Sequence, residues 1–158
     1  MINIVIFGAP GSGKGTYSAA IAKKFGYEHL STGDVLRAEI QAGTELGRKA
    51  EQYMVKGQLI PDSLIIDIVK DIYRTRSDAK GVILDGFPRT IDQAEALKDF
   101  LSARGEKISL AANLIVSEDE LMRRLMERAV TEGRSDDNEE TIRHRRRIVS
   151  EFFKVRVC

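Results

Sequence analysis

The sequence predicts an α/β protein built on a parallel sheet, and three observations predict it. Short apolar runs recur at Ile2 to Phe7, Gly81 to Leu84 and Leu110 to Val116. Between them lie longer stretches whose apolar residues fall at helical spacing. The first run ends on a glycine-rich loop that leads directly into one of those stretches. Strands alternating with helices imply βαβ units with right-handed crossovers, and such sheets bind ligands beyond the C-terminal ends of their strands.

The elements follow in order. Ile2 to Phe7 is β-branched and closed by Gly8, the pattern of a strand buried on both faces. Lys14 to Phe25 has helical spacing and stops at Gly26. Tyr27 to Leu30 predicts a second short strand. Ser31-Thr32-Gly33-Asp34 offers caps for a helix to about Ala42, which Gly43 interrupts. A further helix runs to about Lys56 and ends at Gly57. Pro61-Asp62 opens another, with Leu64, Ile65, Ile68, Val69 and Ile72 on its buried side. Gly81 to Asp85 is a third strand with a carboxylate at its C-terminal end. Thr90-Ile91-Asp92-Gln93 is a capping box for a helix to about Arg104. Leu110 to Val116 is a fourth strand. Ser117 to Glu120 is a second capping box, opening a helix to about Arg128. A polar, glycine-containing loop and a helix from about Asp137 complete the pattern.

Composition narrows the function classes. The 158 residues suit one domain with a hydrophobic core, and 42% hydrophobic with 31% charged residues is an ordinary globular profile. A net charge of +1 gives no global field toward nucleic acid or membrane. Cys158 is the sole cysteine, which leaves no disulfide within the sequence and no cysteine-rich zinc site, and fits a cytoplasmic setting. No stretch approaches the ~20 apolar residues of a membrane span. Neither His29 nor His144 has a nucleophile or metal-ligand partner at meaningful spacing, so neither receives a role.

The loop carries the chemistry. Gly8 to Lys14 spells G-x-x-x-x-G-K, followed by Gly15-Thr16. Between a strand and a helix this is a phosphate-binding loop. Its glycines let main-chain N–H groups converge, the helix N-terminus adds positive potential, and Lys14 adds a point charge for the outer phosphates. Gly15 displaces the usual hydroxyl residue by one place. The loop predicts nucleotide binding but not a reaction.

Four blocks in order narrow the reaction: "GAPGSGKGT", "STGDVLR", "DGFPRT" and "GRSDDNEETIRHR". Together, over about residues 1–145, they resemble the adenylate kinase family in its short-lid form. Thr32 and Thr90 favour its AMP-using branch, since uridylate/cytidylate kinases usually carry alanine and asparagine at those places. The resemblance implies a three-layer α/β/α P-loop nucleoside monophosphate kinase fold with a parallel sheet. It implies a single domain over 1–158, with an AMP-binding helical insertion at about 31–60 and a short lid at about 128–138. The implied reaction is ATP + AMP ⇌ 2 ADP with Mg2+ and no zinc.

The resemblance also implies residue roles. Gly11, Ser12, Gly13, Lys14, Gly15 and Thr16 cradle the ATP phosphates. Thr16 and Asp85 hold magnesium, Asp85 through water. Thr32, Arg37, Gln58, Leu59, Ile60, Gly86, Arg89 and Gln93 contact AMP, with Gln93 reading the adenine edge and Arg89 bridging the two phosphate chains. Arg124 and Arg128, one helical turn apart, take the ATP adenine and phosphates. Arg134 and Arg145 close on the transferring group and the AMP side, with Asp136 and Asp137 orienting them. Lys14, Arg89, Arg128, Arg134 and Arg145 form the catalytic set. A monomer acting on ATP, AMP and ADP is implied, without nucleic acid or membrane.

Three departures temper the match. Tyr17 stands where glutamine is usual. Ala129 replaces a usual glycine, which implies strain if the position needs positive φ. After Arg145 the family pattern continues into a last strand and helix, whereas this sequence reads "RRIVSEFFKVRVC". With those two elements absent, the expectations are a fourth strand with a bare edge open to association, fewer contacts for the ATP adenine, and impaired activity. The rival readings are a nucleotide-binding protein without turnover and a UMP/CMP kinase.

Overall fold

The computed structural model describes residues 1–56, 58, 60–75 and 78–132. The order is β1 (Ile2–Gly8), α1 (Lys14–Phe25), β2 (Glu28–Ser31), α2 (Thr32–Gln41), α3 (Glu45–Met54), α4 (Asp62–Thr75), β3 (Gly81–Asp85), α5 (Ile91–Ala103), β4 (Leu110–Leu114) and α6 (Glu118–Glu132). The four strands form one sheet in the order β2-β3-β1-β4. Both β1 and β2 run parallel to β3, with Ile4 opposite Ile83 and Leu30 opposite Leu84. Every predicted element within the described residues is present, and the α/β class holds.

The chain forms two compact units. The first comprises Met1–Phe7, Lys14–Val35 and Pro61–Asn113; the second comprises Gly8–Gly13, Leu36–Ile60 and Leu114–Cys158.

In the first unit β3 is the centre of the core. All five of its residues are buried, as its unbroken apolar run requires of a strand covered on both faces. Ile4, Val5 and Ile6 of β1 and Leu30 of β2 are buried with it. Each such side chain contributes about 1.5–3 kcal/mol of burial. On α4 the fully sequestered stripe is Ile65, Val69 and Tyr73 rather than the aliphatic set alone. Leu64, Ile68 and Ile72 are half-buried. Tyr73 was invisible to a purely apolar pattern because its hydroxyl needs a buried acceptor, which only the tertiary structure supplies.

That acceptor is Asn3, which is 0% exposed. Its Oδ1 accepts from the Tyr73 hydroxyl at 3.0 Å, and its Nδ2 donates to Glu106 Oε2 at 3.0 Å and to the Lys107 carbonyl at 3.2 Å. Its main chain donates to Ser109 Oγ and accepts from the Ser109 N–H. A polar residue inside the first apolar run is thereby satisfied, tying β1 to α4 and to the segment entering β4. Burial pushes the Tyr73 hydroxyl well above the usual tyrosine range, with Glu106 adding to the rise and Arg104 opposing it.

In the second unit, the part of α2 from Leu36 onward and α3 form a tight pair. Thr44 caps α3 by accepting from the Gly47 N–H at 2.9 Å, while its hydroxyl donates to Glu39 Oε2 at 2.7 Å. Gly47 lies so close to the Glu39 carbonyl that a Cβ there would overlap it.

β2 lies one residue later than the sequence reading, at Glu28–Ser31, and α3 ends at Met54 rather than about Lys56; two further boundaries differ for a clear reason. β4 stops at Leu114, because Ile115 is 88% exposed and has nothing to pack on. α6 runs on to Glu132, one turn past the predicted end at Arg128, since no Gly or Pro interrupts it. Ala129 therefore lies inside a helix, and no non-glycine residue among those described has positive φ. The strain expected there does not arise. Gly57, Asp136, Asp137, His144 and the predicted helix from about 137 lie outside the described residues. No described helix is long and apolar enough to cross a membrane.

Candidate active site

In the second unit, the loop between β1 and α1 folds back on itself. The Ser12 N–H donates to the Ala9 carbonyl at 3.1 Å. Gly11 has φ 82, a conformation L side chains rarely adopt, and a Cβ there would stand 2.9 Å from Leu125 Cγ. Glycine is thus required twice over, for dihedral and for space, and Leu121 and Leu125 of α6 form the floor under the loop. Ser12 is 1% exposed, and its Oγ has no protein partner. A buried, unpaired hydroxyl costs free energy unless something else satisfies it, which suits a loop built for an anionic ligand.

Further along α6, Arg124 and Arg128 are both half-buried, one turn apart. The Arg124 Nε donates to Glu120 Oε1 at 2.6 Å. Arg123 and Arg124 together hold the Glu120 carboxyl down at about 2.

In the first unit, Lys14, Gly15 and Thr16 make the first turn of α1. Gly15 faces Asp85: a Cβ on Gly15 would lie 3.6 Å from Asp85 Oδ2. The carboxylate at the end of β3 therefore stands beside the helix start that follows the phosphate loop, with Thr16 next in line. His29 Nε2 approaches the same Asp85 oxygen at 3.4 Å. Sequence spacing missed this pair because β2 and β3 are distant in sequence and adjacent only through the sheet.

One residue beyond Asp85, the Gly86 carbonyl accepts from the Thr32 hydroxyl at 3.2 Å and from Arg89 Nε at 2.7 Å. Gly86 has φ 79, and a Cβ would meet Arg89 Nη2 at 2.9 Å and Thr32 Oγ1 at 3.3 Å. Glycine here lets a guanidinium and a hydroxyl share one carbonyl. The Phe87–Pro88 peptide bond is cis.

Gln93 is 2% exposed. Thr90 caps α5 by accepting from the Gln93 N–H at 3.2 Å, one half of the predicted capping box. The reciprocal half differs. Gln93 Oε1 accepts instead from the Arg89 N–H at 2.7 Å, and Gln93 Nε2 donates to Asp62 Oδ1 at 2.7 Å. The Thr90 hydroxyl donates to Asp62 Oδ2 at 2.6 Å. Asp62, the first residue of α4, was not singled out from sequence.

Of the sequence-predicted residues, Lys14, Gly15, Thr16, Thr32, Asp85, Gly86, Arg89 and Gln93 fall in the first unit, and Gly11, Ser12, Gly13, Arg37, Gln58, Ile60, Arg124 and Arg128 in the second. Arg37 is half-buried, Ile60 is buried, and Gln58 is exposed with its N–H on the Tyr53 carbonyl. Tyr17 is exposed, which explains why it is tolerated on the first turn of α1. Leu59, Arg134 and Arg145 lie outside the described residues.

The donor chemistry fits a hard divalent cation. Asp85 and Thr16 offer oxygen only, and Gly15 keeps the space beside the carboxylate clear. Among the described residues no group of three or more His, Cys, Asp or Glu could hold a metal. A magnesium ion at this strand end would then draw most of its ligands from phosphate and water, its usual habit.

The family model described as adenylate kinase matches residues 6–155. Adenylate kinase of Bacteroides thetaiotaomicron is 61% identical over 145 residues, covering 92% of this chain and 77% of the relative. That of Porphyromonas gingivalis is 52% identical, over 92% and 75%. That of Azobacteroides pseudotrichonymphae is 51% identical, over 92% and 76%.

Proposed function

Because this chain belongs to the adenylate kinase family, we propose that its two sets of predicted residues act as an ATP side and an AMP side of one phosphoryl-transfer site. The chain is a phosphotransferase: it moves the terminal phosphoryl group of ATP to AMP, giving two ADP, and reverses the reaction.

The observation that carries the residue assignment is the convergence at the end of β3. Asp85 stands against the first turn of α1, and the next carbonyl, of Gly86, gathers Thr32 and Arg89. Elements named by the phosphate-loop motif and by the AMP-branch motifs thus meet at one strand end.

Phosphoryl transfer asks little covalent work of the protein; it asks for alignment, neutralised charge and exclusion of water. Main-chain amides of Gly11 to Thr16 and the start of α1 hold the ATP phosphates, with the unpaired Ser12 hydroxyl donating into the same cradle. Lys14 places its ammonium on the outer phosphates, where charge spreads as the bond breaks. Thr16 and Asp85 would hold Mg2+, which when bound neutralises phosphate charge. Arg89 releases part of its hold on Gly86 to take the AMP phosphate bidentately. Thr32, Arg37, Gln58, Leu59, Ile60 and Gly86 complete the AMP side, and Gln93 reads the adenine edge. Arg124 and Arg128 lie against the ATP base and phosphates. Arg134 and Arg145 act on the transferring group from the lid at about 128–138, and the AMP insertion at about 31–60 serves the acceptor. A monomer in the cytoplasm is the setting this implies.

A coupled assay of ADP formation with ATP and each of AMP, CMP, UMP and GMP tests the reading, alongside ATP titration. AMP is expected to be the preferred acceptor. Lys14→Ala is expected to lower kcat by about 10³-fold or more, because it removes charge from the transition state in a water-poor site. Wild-type turnover in that variant would reject the role of Lys14. ATP binding without ADP formation by the wild-type chain would reject the residue assignment as a working site.

A further inference from the structure

The geometry points to Asp62 as a positioning residue that sets nucleobase specificity, by locking the carboxamide of Gln93 in the one orientation that complements adenine rather than a 6-oxopurine. The inference rests on the reading of Gln93 as the group that meets the acceptor base.

The lock follows from donor and acceptor counts. Gln93 is buried, and its two amide heads face different partners. The Arg89 main-chain N–H, at 2.7 Å, can only donate, so the atom facing it must be oxygen. The ionised carboxylate of Asp62, at 2.7 Å, can only accept, so the atom facing it must be nitrogen. Turning the amide over would set oxygen against carboxylate and N–H against N–H at those distances. Asp62 is itself fixed, because its other oxygen takes the Thr90 hydroxyl at 2.6 Å, and Thr90 is anchored as the N-cap of α5. Neither partner is a solvated surface group free to adapt.

Two hydrogen-bonding positions of Gln93 are left, one lone pair on Oε1 and one proton on Nε2. The Watson–Crick edge of adenine presents an amino donor at position 6 and an acceptor at N1, the complement of that pair. A 6-oxopurine such as hypoxanthine presents an acceptor at position 6 and a donor at N1. It would need the amide reversed, since the ribose phosphate fixes which way the base faces. Asp62 makes reversal costly, so a 6-oxopurine meets two mismatched contacts in place of two bonds. Sites built this way reject the wrong polar pattern strongly, because buried polar groups are left unpaired.

The main-chain N–H of Arg89 holds the same orientation and no side-chain change removes it. Loss of Asp62 therefore weakens the discrimination without inverting it. Asp62→Asn is nearly isosteric and offers Gln93 either a donor or an acceptor. Asp62→Ser keeps a short polar side chain at the first residue of α4 and serves as a second variant should the amide disturb folding, checked by thermal melting.

The experiment measures kcat/KM for AMP and for IMP at saturating ATP in the wild type, Asp62→Asn, Asp62→Ser and Gln93→Leu. IMP shares every phosphate and ribose contact with AMP, so the ratio isolates the base. The expected result is a fall in the AMP-to-IMP ratio of about tenfold or more in both Asp62 variants, the scale of one charged hydrogen bond. KM for ATP is expected to stay at the wild-type value, which a merely structural defect would not respect. If Gln93→Leu collapses the ratio while the folded Asp62 variant keeps the wild-type ratio, the positioning role is overturned and the Gln93 reading stands. If Gln93→Leu keeps the wild-type ratio, or the wild type does not discriminate, the reading of Gln93 fails and the inference fails with it.

Discussion

Asn3 and Gln93 are both carboxamides buried in the same unit, 0% and 2% exposed, yet they are used in opposite ways. Asn3 is closed. Tyr73, Glu106, Lys107 and Ser109 occupy its amide oxygen, both amide protons and its main chain, so it holds three segments of chain together and has no donor left to offer a ligand. Gln93 is only half spent. Asp62 and the Arg89 N–H fix its orientation and leave one donor and one acceptor position unused. Burial makes a polar group expensive in both places. What separates scaffold from site is whether the protein itself completes the hydrogen bonds. The unpaired hydroxyl of buried Ser12 belongs with Gln93 in this respect.

The sharpest way to break the comparison is Arg89→Ala. It removes a guanidinium from the open region but leaves the main-chain N–H that orients Gln93. The expected outcome is a loss of about 10²-fold or more in kcat/KM for AMP, with IMP falling in parallel and the ratio unchanged. Steady-state kinetics with both acceptors checks it, and unchanged KM for AMP would contradict the proposed contact.

Asn3→Ala attacks the closed region instead. It strands the Tyr73 hydroxyl and removes the donor from Glu106 Oε2, while Arg104 still donates to Oε1, at a cost of about 2–4 kcal/mol. Denaturant or thermal unfolding should register that loss, a fall in Tm of roughly 5–12 °C. Below the new Tm the nucleotide preference should be that of the wild type. A change in acceptor preference would show that the two regions are not separable as described.

The smallest effect belongs to Tyr73→Phe, which removes one hydroxyl and leaves Asn3 Oδ1 short of its donor, at about 1–2 kcal/mol near neutral pH. The pH dependence sharpens it. The folded state holds the phenol proton more tightly than the unfolded chain does. Its contribution is therefore complete below the ordinary tyrosine value, about pH 10, and is lost as pH rises above it. Unfolding curves between neutral pH and pH 11 should show the wild type losing stability faster than Tyr73→Phe, so that the two converge. Parallel curves would place the Tyr73 hydroxyl outside the buried network.

Most of the fold was legible because its signals are local. The apolar runs of β1 and β3, the glycine stop at Gly26 and the cap at Thr90 act within a few residues of themselves, and each element formed where those signals lie. The ends of β4 and α6 were not legible, since a strand stops where its packing partner stops and an uncapped helix continues until something interrupts it. Among the candidate site residues, those carried by contiguous motifs were legible as candidates: the phosphate loop, Thr32, Asp85, Gly86, Arg89 and Gln93. His29 and Asp62 were missed, because each matters through one side chain met across the fold, His29 to Asp85 across the sheet and Asp62 to Gln93 from the start of α4.

By itself, the sequence determined a nucleotide-binding loop, because glycines converging on a lysine between a strand and a helix have few other physical uses, and its four ordered blocks determined the family and with it the reaction. Only the tertiary structure decided which buried amide is closed and which is open. Hydrogen bonds are completed by partners brought together from distant positions, and their directions, unlike hydrophobic periodicity, leave no trace in the order of residues.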